Sequence, residues 1–234
     1  MKQDIVIKIG GSIIYKEDMS LNIVVLDKIK RWYIENEKRY RKIVFVTGGG
    51  RLSRTVGGYV NNHIEDISDR HGVAMLLTQT SSAIIKGYLN IPHAIIPDSL
   101  GDAFEILSDE NPSVLISGGL KRGWSTDMDA VVFADILNLK KVIKLSNIDY
   151  LYDSDPRENP NAKPIIDITW DRYNELFNRN KKVKHKVNGN VPISIEASEF
   201  CTNRGISFQI SGGNNLFSNW KLNRIMQEGS LIHP

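Results

Sequence analysis

A lysine inside an apolar run is the first residue of the chain whose type and position favour chemistry. Lys8 interrupts the β-branched run from Ile5 to Ile9, and this run is followed directly by Gly10, Gly11 and Ser12. An unpaired ammonium is costly within a buried strand, so Lys8 requires a partner. Glycines at a strand end let backbone N–H groups approach an anion, and a following helix start adds its positive dipole. The pattern favours phosphate binding, and the alternative is a glycine turn beside a solvated lysine.

A second glycine turn follows the next apolar run. Gly48, Gly49 and Gly50 cost backbone entropy that a loop serving only as a connector does not need, so they indicate close approach of the backbone to a ligand. Arg54 lies one helical turn further along the chain, where its guanidinium can form two hydrogen bonds to an anionic group. The alternative interpretation is a solvated arginine at the start of a helix.

Two further polar segments follow apolar runs in the second half of the chain. Gly118 and Gly119 begin a segment that ends in Ser-Thr-Asp at residues 125–127. These three residues either cap the next helix or place two hydroxyls and a carboxylate at the mouth of a crevice. Residues 146–157 form the other segment, which is rich in turn residues and by itself predicts only a loop.

Short β-branched runs that alternate with helix-type spacing must position these segments. Near-continuous apolar runs of this length are typical of strands buried on both faces, and alternation with helices predicts a mainly parallel sheet covered on both sides. We predict strands at 5–9, 42–46, 93–96, 113–117, 141–145 and 206–210, and helices at 22–40, 72–89, 128–139 and 195–204. The glycine turns each follow a predicted strand. Because ligands bind at the carboxyl ends of the strands in such a sheet, the turns indicate one shared crevice.

Composition narrows the class of protein. The 234 residues suffice for one large α/β domain or two small ones, and 30 Lys and Arg against 27 Asp and Glu give too small a basic excess to indicate nucleic-acid binding. The single cysteine, Cys201, excludes an internal disulfide framework and a multi-cysteine metal site, and it favours a reducing compartment. No signal peptide is evident, and no apolar run approaches the roughly 18 residues needed to cross a bilayer. We therefore expect a soluble, cytoplasmic protein without membrane or nucleic-acid partners.

Taken in order, these segments resemble the amino acid kinase family, and within it the uridylate kinases of bacteria and archaea. The resemblance runs from Lys8 to about Ile232. It comprises a lysine-glycine-glycine-serine pattern, a triple glycine with a following arginine, an aspartate near a helix start, a Gly-Gly segment ending in Thr-Asp, and a stretch from asparagine to Asp-Pro. These are carried by Lys8, Gly10, Gly11 and Ser12, by Gly48, Gly49, Gly50 and Arg54, by Asp69, by Gly118, Gly119, Thr126 and Asp127, and by Asn147, Asp149, Tyr152 and Asp155.

The resemblance implies a three-layer α/β/α sandwich with a mainly parallel central sheet. It implies one domain over residues 1–234, in which about 1–120 bind the phosphoryl acceptor and about 121–234 bind ATP. The implied reaction is phosphorylation of UMP to UDP by ATP, a step of pyrimidine nucleotide metabolism, with Mg²⁺ carried by the nucleotide and held by no direct protein ligand. The implied ligands are small-molecule nucleotides. Because similar enzymes are hexamers built from dimers, we also expect a homo-oligomer, either a hexamer or a dimer.

The resemblance also implies a role for each matching residue. Lys8 and Asp127 would be catalytic, with Asp127 orienting the lysine and managing magnesium through water. Phosphate and ATP binding would fall to Gly10, Gly11, Ser12, Asn147, Asp149, Tyr152 and Asp155. The acceptor would be bound by Gly48, Gly49, Gly50, Arg54, Gly118, Gly119 and Thr126, and its ribose hydroxyls by Asp69. Such a site catalyses phosphoryl transfer by positioning and by neutralising charge.

Three departures from the family pattern bear on the substrate. The Arg-x-Asn expected on the helix after Asp69 is absent from residues 73–81, where Gln79 supplies an amide but no charge. A glycine beside the nucleotide is replaced by Tyr150. The stretch that matches an Asp-Pro ahead of a late helix reads Ile-Ser-Ile-Glu at residues 193–196, so a carboxylate near the phosphates is missing or displaced to Glu196. Two alternatives therefore stand beside a UMP kinase. One is a kinase of the same fold acting on another small anion, and the other is a non-catalytic, ATP-binding regulatory relative.

Overall fold

A seven-stranded sheet runs through the part of the chain that the structure describes. The computed structural model describes residues 2–154, 159–177, 191–212 and 228–234. The strands of the sheet are β1 (Gln3–Ile9), β2 (Tyr40–Thr47), β3 (Ser113–Ser117), β4 (Lys141–Ser146), β7 (Asp167–Thr169), β8 (Ser207–Gly212) and β9 (Ser230–His233). Their order is β3-β2-β1-β4-β8-β9-β7, and every described pair is parallel except β8 with β9. Strands β5 (Leu151–Tyr152) and β6 (Pro164–Ile165) form a separate antiparallel ribbon.

Helices cover both faces of this sheet. They are α1 (Gly11–Ile14), α2 (Ile23–Asn36), α3 (Gly50–His63), α4 (Ile67–Leu89), α5 (Leu100–Ser108), α6 (Thr126–Ile136), α7 (Trp170–Phe177) and α8 (Ile195–Arg204), with a 3₁₀ turn at Glu37–Arg39. Among the described residues, no helix is both long enough and apolar enough to cross a membrane.

Alternate residues of β1 belong to two different apolar cores. Ile5, Ile7 and Ile9 pack with residues of α2 and α4 on one face of the sheet, whereas Val6 packs with residues of α5, α6 and α8 on the other. A strand buried on both faces must be apolar at nearly every position, which explains the continuous runs seen in the sequence. The predicted three-layer α/β/α sandwich with a mainly parallel sheet is thereby confirmed.

The predicted strand at 93–96 is wrong. Ile95 forms only one isolated parallel bridge, to Leu115 beside it on β3. Pro92 and Pro97 flank the apolar residues, and proline has no N–H with which to extend a ladder. The run therefore ends after one bridge.

Helix α4 begins at Ile67, five residues before the predicted start at 72. The side chain of Asp66 accepts a hydrogen bond from the backbone N–H of Asp69 at 2.9 Å, so Asp66 is the N-cap. Asp69 consequently lies in the first turn of the helix, and not ahead of it. Four described helices, α1, α3, α5 and α7, and four described strands, β5, β6, β7 and β9, lie outside the predicted ranges. Adjacent glycines at 57 and 58 obscure the helical pattern of α3, and the missed strands are too short to give a clear one.

Candidate active site

The first two glycine turns touch each other at the carboxyl ends of β1 and β2. The N–H of Gly48 donates to the carbonyl of Ile9 at 2.9 Å. A Cβ placed on Gly11 would lie 2.0 Å from the nitrogen of Gly50 and 2.6 Å from the carbonyl oxygen of Gly48. Gly50 has a φ of +54°, in the left-handed region that favours glycine. Both turns thus need glycine, because the two backbones meet where a side chain would stand.

The third glycine turn lies against α4. A Cβ on Gly118 would lie 2.5 Å from the backbone nitrogen of Gln79. The N–H of Gly119 donates to Oγ1 of Thr78 at 2.7 Å, and Nε2 of Gln79 donates to the carbonyl of Gly119 at 3.2 Å. At the end of β2, Oγ1 of Thr47 donates to the carbonyl of Thr78 at 3.1 Å. Helix α4 therefore joins the second turn to the third.

Two buried lysines share one buried carboxylate at the same edge of the sheet. Nζ of Lys8 lies 3.4 Å from Oδ1 of Asp127, and Nζ of Lys144 lies 2.8 Å from both carboxylate oxygens. Lys8, Lys144 and Asp127 are each only 7% exposed. A Cβ on Gly48 would lie 3.6 Å from Nζ of Lys8, so the ammonium stands beside the second glycine turn. The cluster carries one surplus positive charge, which suits an anion at this position.

The charges within the cluster favour the ionised form of the Asp127 carboxyl group. Burial opposes ionisation of Asp127, but the ammonium groups of Lys144 and Lys8 together hold its pKa below the usual range. Burial lowers the pKa of Lys144 to about 8, against the opposing effect of Asp127 and with a further lowering from Lys8. Asp127 is thus an anion that keeps two cations in place.

The starts of α6 and α8 fix Asp127 in position. Oγ of Ser125 accepts from the N–H of Met128 at 3.2 Å, so Ser125 caps α6. Ser194 caps α8 in the same way, and the two cap hydroxyls are hydrogen-bonded to each other at 2.7 Å. Thr126, the first residue of α6, is half-buried next to Asp127. Ser194 therefore joins the N-termini of α6 and α8.

The backbone just before Ser194 contacts Lys144. Nζ of Lys144 donates to the carbonyl of Pro192. The hydroxyl of the buried Tyr173 donates to the carbonyl of Ile193 at 2.9 Å and accepts from its N–H at 2.7 Å. These bonds hold the backbone that supplies a third polar contact to Lys144.

Arg54 and Asp69, which were predicted to bind the acceptor, both lie on exposed helix surface. The guanidinium of Arg54 makes no ion pair or hydrogen bond with any residue that the structure describes. Asp69 is also exposed, and its Oδ1 lies 3.5 Å from Nη1 of Arg122. The guanidinium of Arg122 lies over Gly72, 3.2 Å from where a Cβ would stand. The loop after β3 thus places an arginine beside the first turns of α4, ahead of the stretch 73–81 that lacks one.

The residues predicted for the nucleotide follow β4. Asn147 is exposed, and Asp149 packs against the end of β8, where a Cβ on Gly212 would lie 1.7 Å from its Oδ1. Tyr152 is half-buried on β5. No described contact joins these residues to the lysine cluster, and Asp155 lies outside the described residues. The remaining residues of the first turn lie at the end of β1, where the N–H of Gly10 donates to Leu145 at 2.8 Å and Ser12 is half-buried in α1.

Lys144, Arg122 and Asp129 are charged residues near the site that the sequence analysis did not predict. Lys144 interrupts the buried strand 141–145 as Lys8 interrupts β1, so a charged residue within an apolar run marks both lysines in the sequence. Arg122 gave no signal, because its contact with α4 depends on the path of a loop. Asp129 was missed as well. It is fully buried, and burial raises its pKa to about 7, against the N–H of Leu120 and with a contribution from the charge of Asp127.

Comparisons with known proteins agree with this geometry. The model of the amino acid kinase family matches residues 4–210. The uridylate kinase of Thermococcus onnurineus is 23% identical over 231 residues, which cover 98% of this chain and 99% of the relative. That of Staphylothermus marinus is 31% identical over 182 residues, covering 76% of each chain.

Solved structures show the same fold. The crystal structure of uridylate kinase from Archaeoglobus fulgidus has a TM-score of 0.74 at 20% identity and covers 98% of this chain and 100% of its own. The crystal structure of UMP kinase from Ureaplasma parvum has a TM-score of 0.69 at 20% identity, with 100% of both chains covered. The resemblance found in the sequence is confirmed. With its glycine turns and its buried lysine–aspartate cluster at one edge of a parallel sheet, the chain belongs to the amino acid kinase family.

Proposed function

We propose that the protein is a phosphotransferase that moves the γ-phosphoryl group of ATP onto UMP, giving ADP and UDP. The observation that carries the proposal is the buried cluster in which Asp127 holds Lys8 and Lys144 beside the glycine turns. Support for the acceptor comes from relatives named uridylate kinase that match 98% of the chain. Transfer breaks the bond from the γ-phosphorus to the bridging oxygen of ATP, and a phosphate oxygen of UMP forms the new bond.

Lys8 and Lys144 act on the transferring group. Phosphoryl transfer needs positioning and neutralisation of the charge on the phosphoryl oxygens, and it needs no covalent intermediate with the protein. Because both ammonium groups are already oriented by Asp127, no reorganisation is needed when charge develops in the transition state. Gly10, Gly11 and Ser12 extend this surface with backbone N–H groups and a hydroxyl.

The N-terminal half, residues 1 to about 120, binds the acceptor. The N-terminus of α3 and the uncommitted guanidinium of Arg54 suit the phosphate of UMP, alongside the second glycine turn. Asp69 suits the ribose hydroxyls. Its exposed ion pair with Arg122 is worth at most about 1 kcal/mol, so it opposes ribose binding only weakly. Gly118, Gly119 and Thr126 close the acceptor site on the side of α6.

The C-terminal half, residues 121 to about 234 of the same domain, binds ATP. Asn147, Asp149 and Tyr152 follow β4, which is the direct neighbour of β1 in the sheet. They therefore lie on the side of Lys8 opposite to β2 and its acceptor turn. Asp155 belongs to the same segment by resemblance.

Magnesium fits this site as an ion carried by the nucleotide. Both oxygens of Asp127 are occupied by ammonium groups, and among the described residues no group of three or more His, Cys, Asp or Glu side chains could hold a metal. Mg²⁺ usually keeps several waters and binds through substrate phosphates, which agrees with a water-mediated role for Asp127. When bound, the ion neutralises charge on the phosphates.

We also propose a cytoplasmic homo-oligomer. The free, buried Cys201 and the nucleotide substrates support a cytoplasmic setting. Large apolar side chains on α3 and α4 support association, since Tyr59, Ile67 and Leu76 are 67%, 62% and 57% exposed. Light scattering coupled to gel filtration measures the mass directly, and a purely monomeric protein would contradict this part of the proposal.

A coupled assay of ADP release over a panel of nucleoside monophosphates tests the function. We expect UMP to give the highest kcat/KM. Release with another anion and not with UMP would leave a kinase with a different acceptor. ATP binding in calorimetry without ADP release on any acceptor would establish the regulatory alternative.

A further inference from the structure

Asp129 is a fully buried carboxyl group that the proposed reaction does not use. It lies two residues after Asp127 in α6 and is 0% exposed. Its Oδ1 accepts a hydrogen bond of 3.3 Å from the N–H of Leu120, and its Oδ2 has no hydrogen-bond partner among the residues that the structure describes. A buried carboxyl with half of its bonding capacity unused is costly, so its position calls for a reason.

The group that Asp129 holds is the third glycine turn. In this turn, three successive polar atoms of the backbone are each bound by a side chain. Thr78 accepts from the N–H of Gly119 at 2.7 Å, Gln79 donates to the carbonyl of Gly119 at 3.2 Å, and Asp129 accepts from the N–H of Leu120. Helix α4 thus holds the turn from one side and α6 from the other.

The space beneath the turn is filled by the same side chains. A Cβ on Gly119 would lie 3.3 Å from Oγ1 of Thr78 and 3.8 Å from Oδ2 of Asp129. These contacts oppose a shift of the turn toward the protein interior, and its backbone hydrogen bonds oppose its rotation. Because Asp127 and Asp129 share the first turns of α6, the orientation of the glycine turn is coupled to that of the lysine cluster.

We propose that Asp129 is a positioning residue for the acceptor, which holds the Gly119–Leu120 turn in the conformation that binds the phosphoryl acceptor. The inference rests on the proposed acceptor role of Gly118 and Gly119. Burial raises the pKa of Asp129 to about 7, so the neutral form is populated near neutral pH, and in either form an oxygen accepts from the N–H of Leu120. An amide of the same shape should then replace the carboxyl, whereas an apolar side chain of similar volume should not.

Asp129→Asn and Asp129→Leu separate this role from a purely structural one. We expect Asp129→Leu to raise the KM for UMP at least about tenfold, with the KM for ATP changed less than about twofold. Asp129→Asn should keep both values within about threefold of the wild type. The matched control is Asp135→Asn, on the same helix but paired with Arg204 at 3.6 Å, and it should change neither. A parallel rise of both KM values in Asp129→Leu, or an unchanged KM for UMP, would overturn the proposal.

Amide hydrogen exchange on the full-length, ligand-free protein gives a readout that does not depend on UMP. Exchange at Leu120 should be at least about tenfold faster in Asp129→Leu and unchanged in Asp129→Asn. If Asp129→Leu does not fold, Thr78→Val removes the bond on the opposite side of the turn, and it should give the same KM split and faster exchange at Gly119.

The two measurements distinguish a failure of this inference from a failure of the proposed function. If the wild type is inactive on UMP but active on another acceptor, the proposed function fails and the KM split is measured on that acceptor. If no acceptor releases ADP, the exchange rates decide alone. Normal exchange at Leu120 in Asp129→Leu would then overturn the inference.

Discussion

Lys8 and Lys144 are register partners on the adjacent parallel strands β1 and β4, and both reach the carboxylate of Asp127. Paired residues on neighbouring strands point to the same face of the sheet, so one carboxylate from α6 can meet both. Two ammonium groups this close would repel each other without Asp127. The same arrangement presents a surplus positive charge where the two strands end.

Removal of Lys8 should stop the reaction without unfolding the protein. A preorganised cation on the transferring phosphoryl group is worth about 3 kcal/mol or more, so Lys8→Ala should lower kcat at least about a hundredfold. Steady-state kinetics at saturating ATP and UMP measure the loss, and circular dichroism checks the fold. Retained turnover in a folded variant would rule out the assigned role.

Removal of Asp127 should destabilise the protein as well as inactivate it. Asp127→Ala leaves Lys8 and Lys144 buried without their counter-ion, which costs about 3–5 kcal/mol of unfolding free energy. The double variant Asp127→Ala/Lys144→Met should recover part of that loss, because one of the stranded cations is gone. Urea denaturation measures both values. Equal stabilities of the single and double variants would show that Lys144 does not depend on Asp127.

Arg54→Ala should act on one substrate only. A guanidinium on the monophosphate contributes mainly to ground-state binding, so the KM for UMP should rise far more than the KM for ATP. A charge-assisted hydrogen bond of about 1.5–3 kcal/mol corresponds to roughly ten- to hundredfold. Equal effects on the two substrates would mean that the acceptor lies elsewhere. Arg41→Ala, at the start of β2 and paired with Asp4, is the matched control.

Two glycines with opposite surroundings test the contact between the first and second turns. A Cβ on Gly11 meets backbone at 2.0 Å, whereas a Cβ on Gly58, within α3, meets nothing within 4 Å. Gly11→Ala should lower kcat/KM at least about tenfold, because one turn must move. Gly58→Ala should leave activity unchanged and raise the unfolding free energy by up to about 1 kcal/mol. Thermal unfolding and kinetics of both variants decide, and an active Gly11→Ala enzyme would contradict the observed packing.

The stability of the protein should depend on Asp129 between about pH 4 and pH 7. Its pKa is raised to about 7 in the folded state from 3.8, so the folded protein binds more protons than the unfolded chain over this window. Its contribution is therefore fully present below about pH 4 and is lost as the pH rises toward and through 7. The difference in unfolding free energy between Asp129→Asn and the wild type should grow with pH in favour of the variant, by up to about 4 kcal/mol. A constant difference would show that Asp129 does not titrate in this range.

The sequence alone predicts the parts of this protein that depend on local chemistry. Gly10, Gly48 and Gly118 follow apolar runs, and a glycine after a buried strand indicates a close backbone approach wherever the chain goes next. The lysine inside β1 is likewise visible, because a charge in a strand buried on both faces requires a partner. The order of these motifs was sufficient to recognise the family and its layered fold.

The tertiary structure decided which side chains contact each other and which short apolar runs form strands. Lys144 meets Asp127 only because β4 lies beside β1, and Arg122 meets Asp69, 53 residues earlier, only because the loop after β3 folds back over Gly72. Asp129 resembles any polar residue of a helix start until α4 places Thr78 on the other side of the same turn. The apolar run at 93–96 became a single bridge because its flanking prolines cannot extend a ladder. Periodicity and turn chemistry act over a few residues, whereas the choice of a partner depends on which strands become neighbours when the sheet forms.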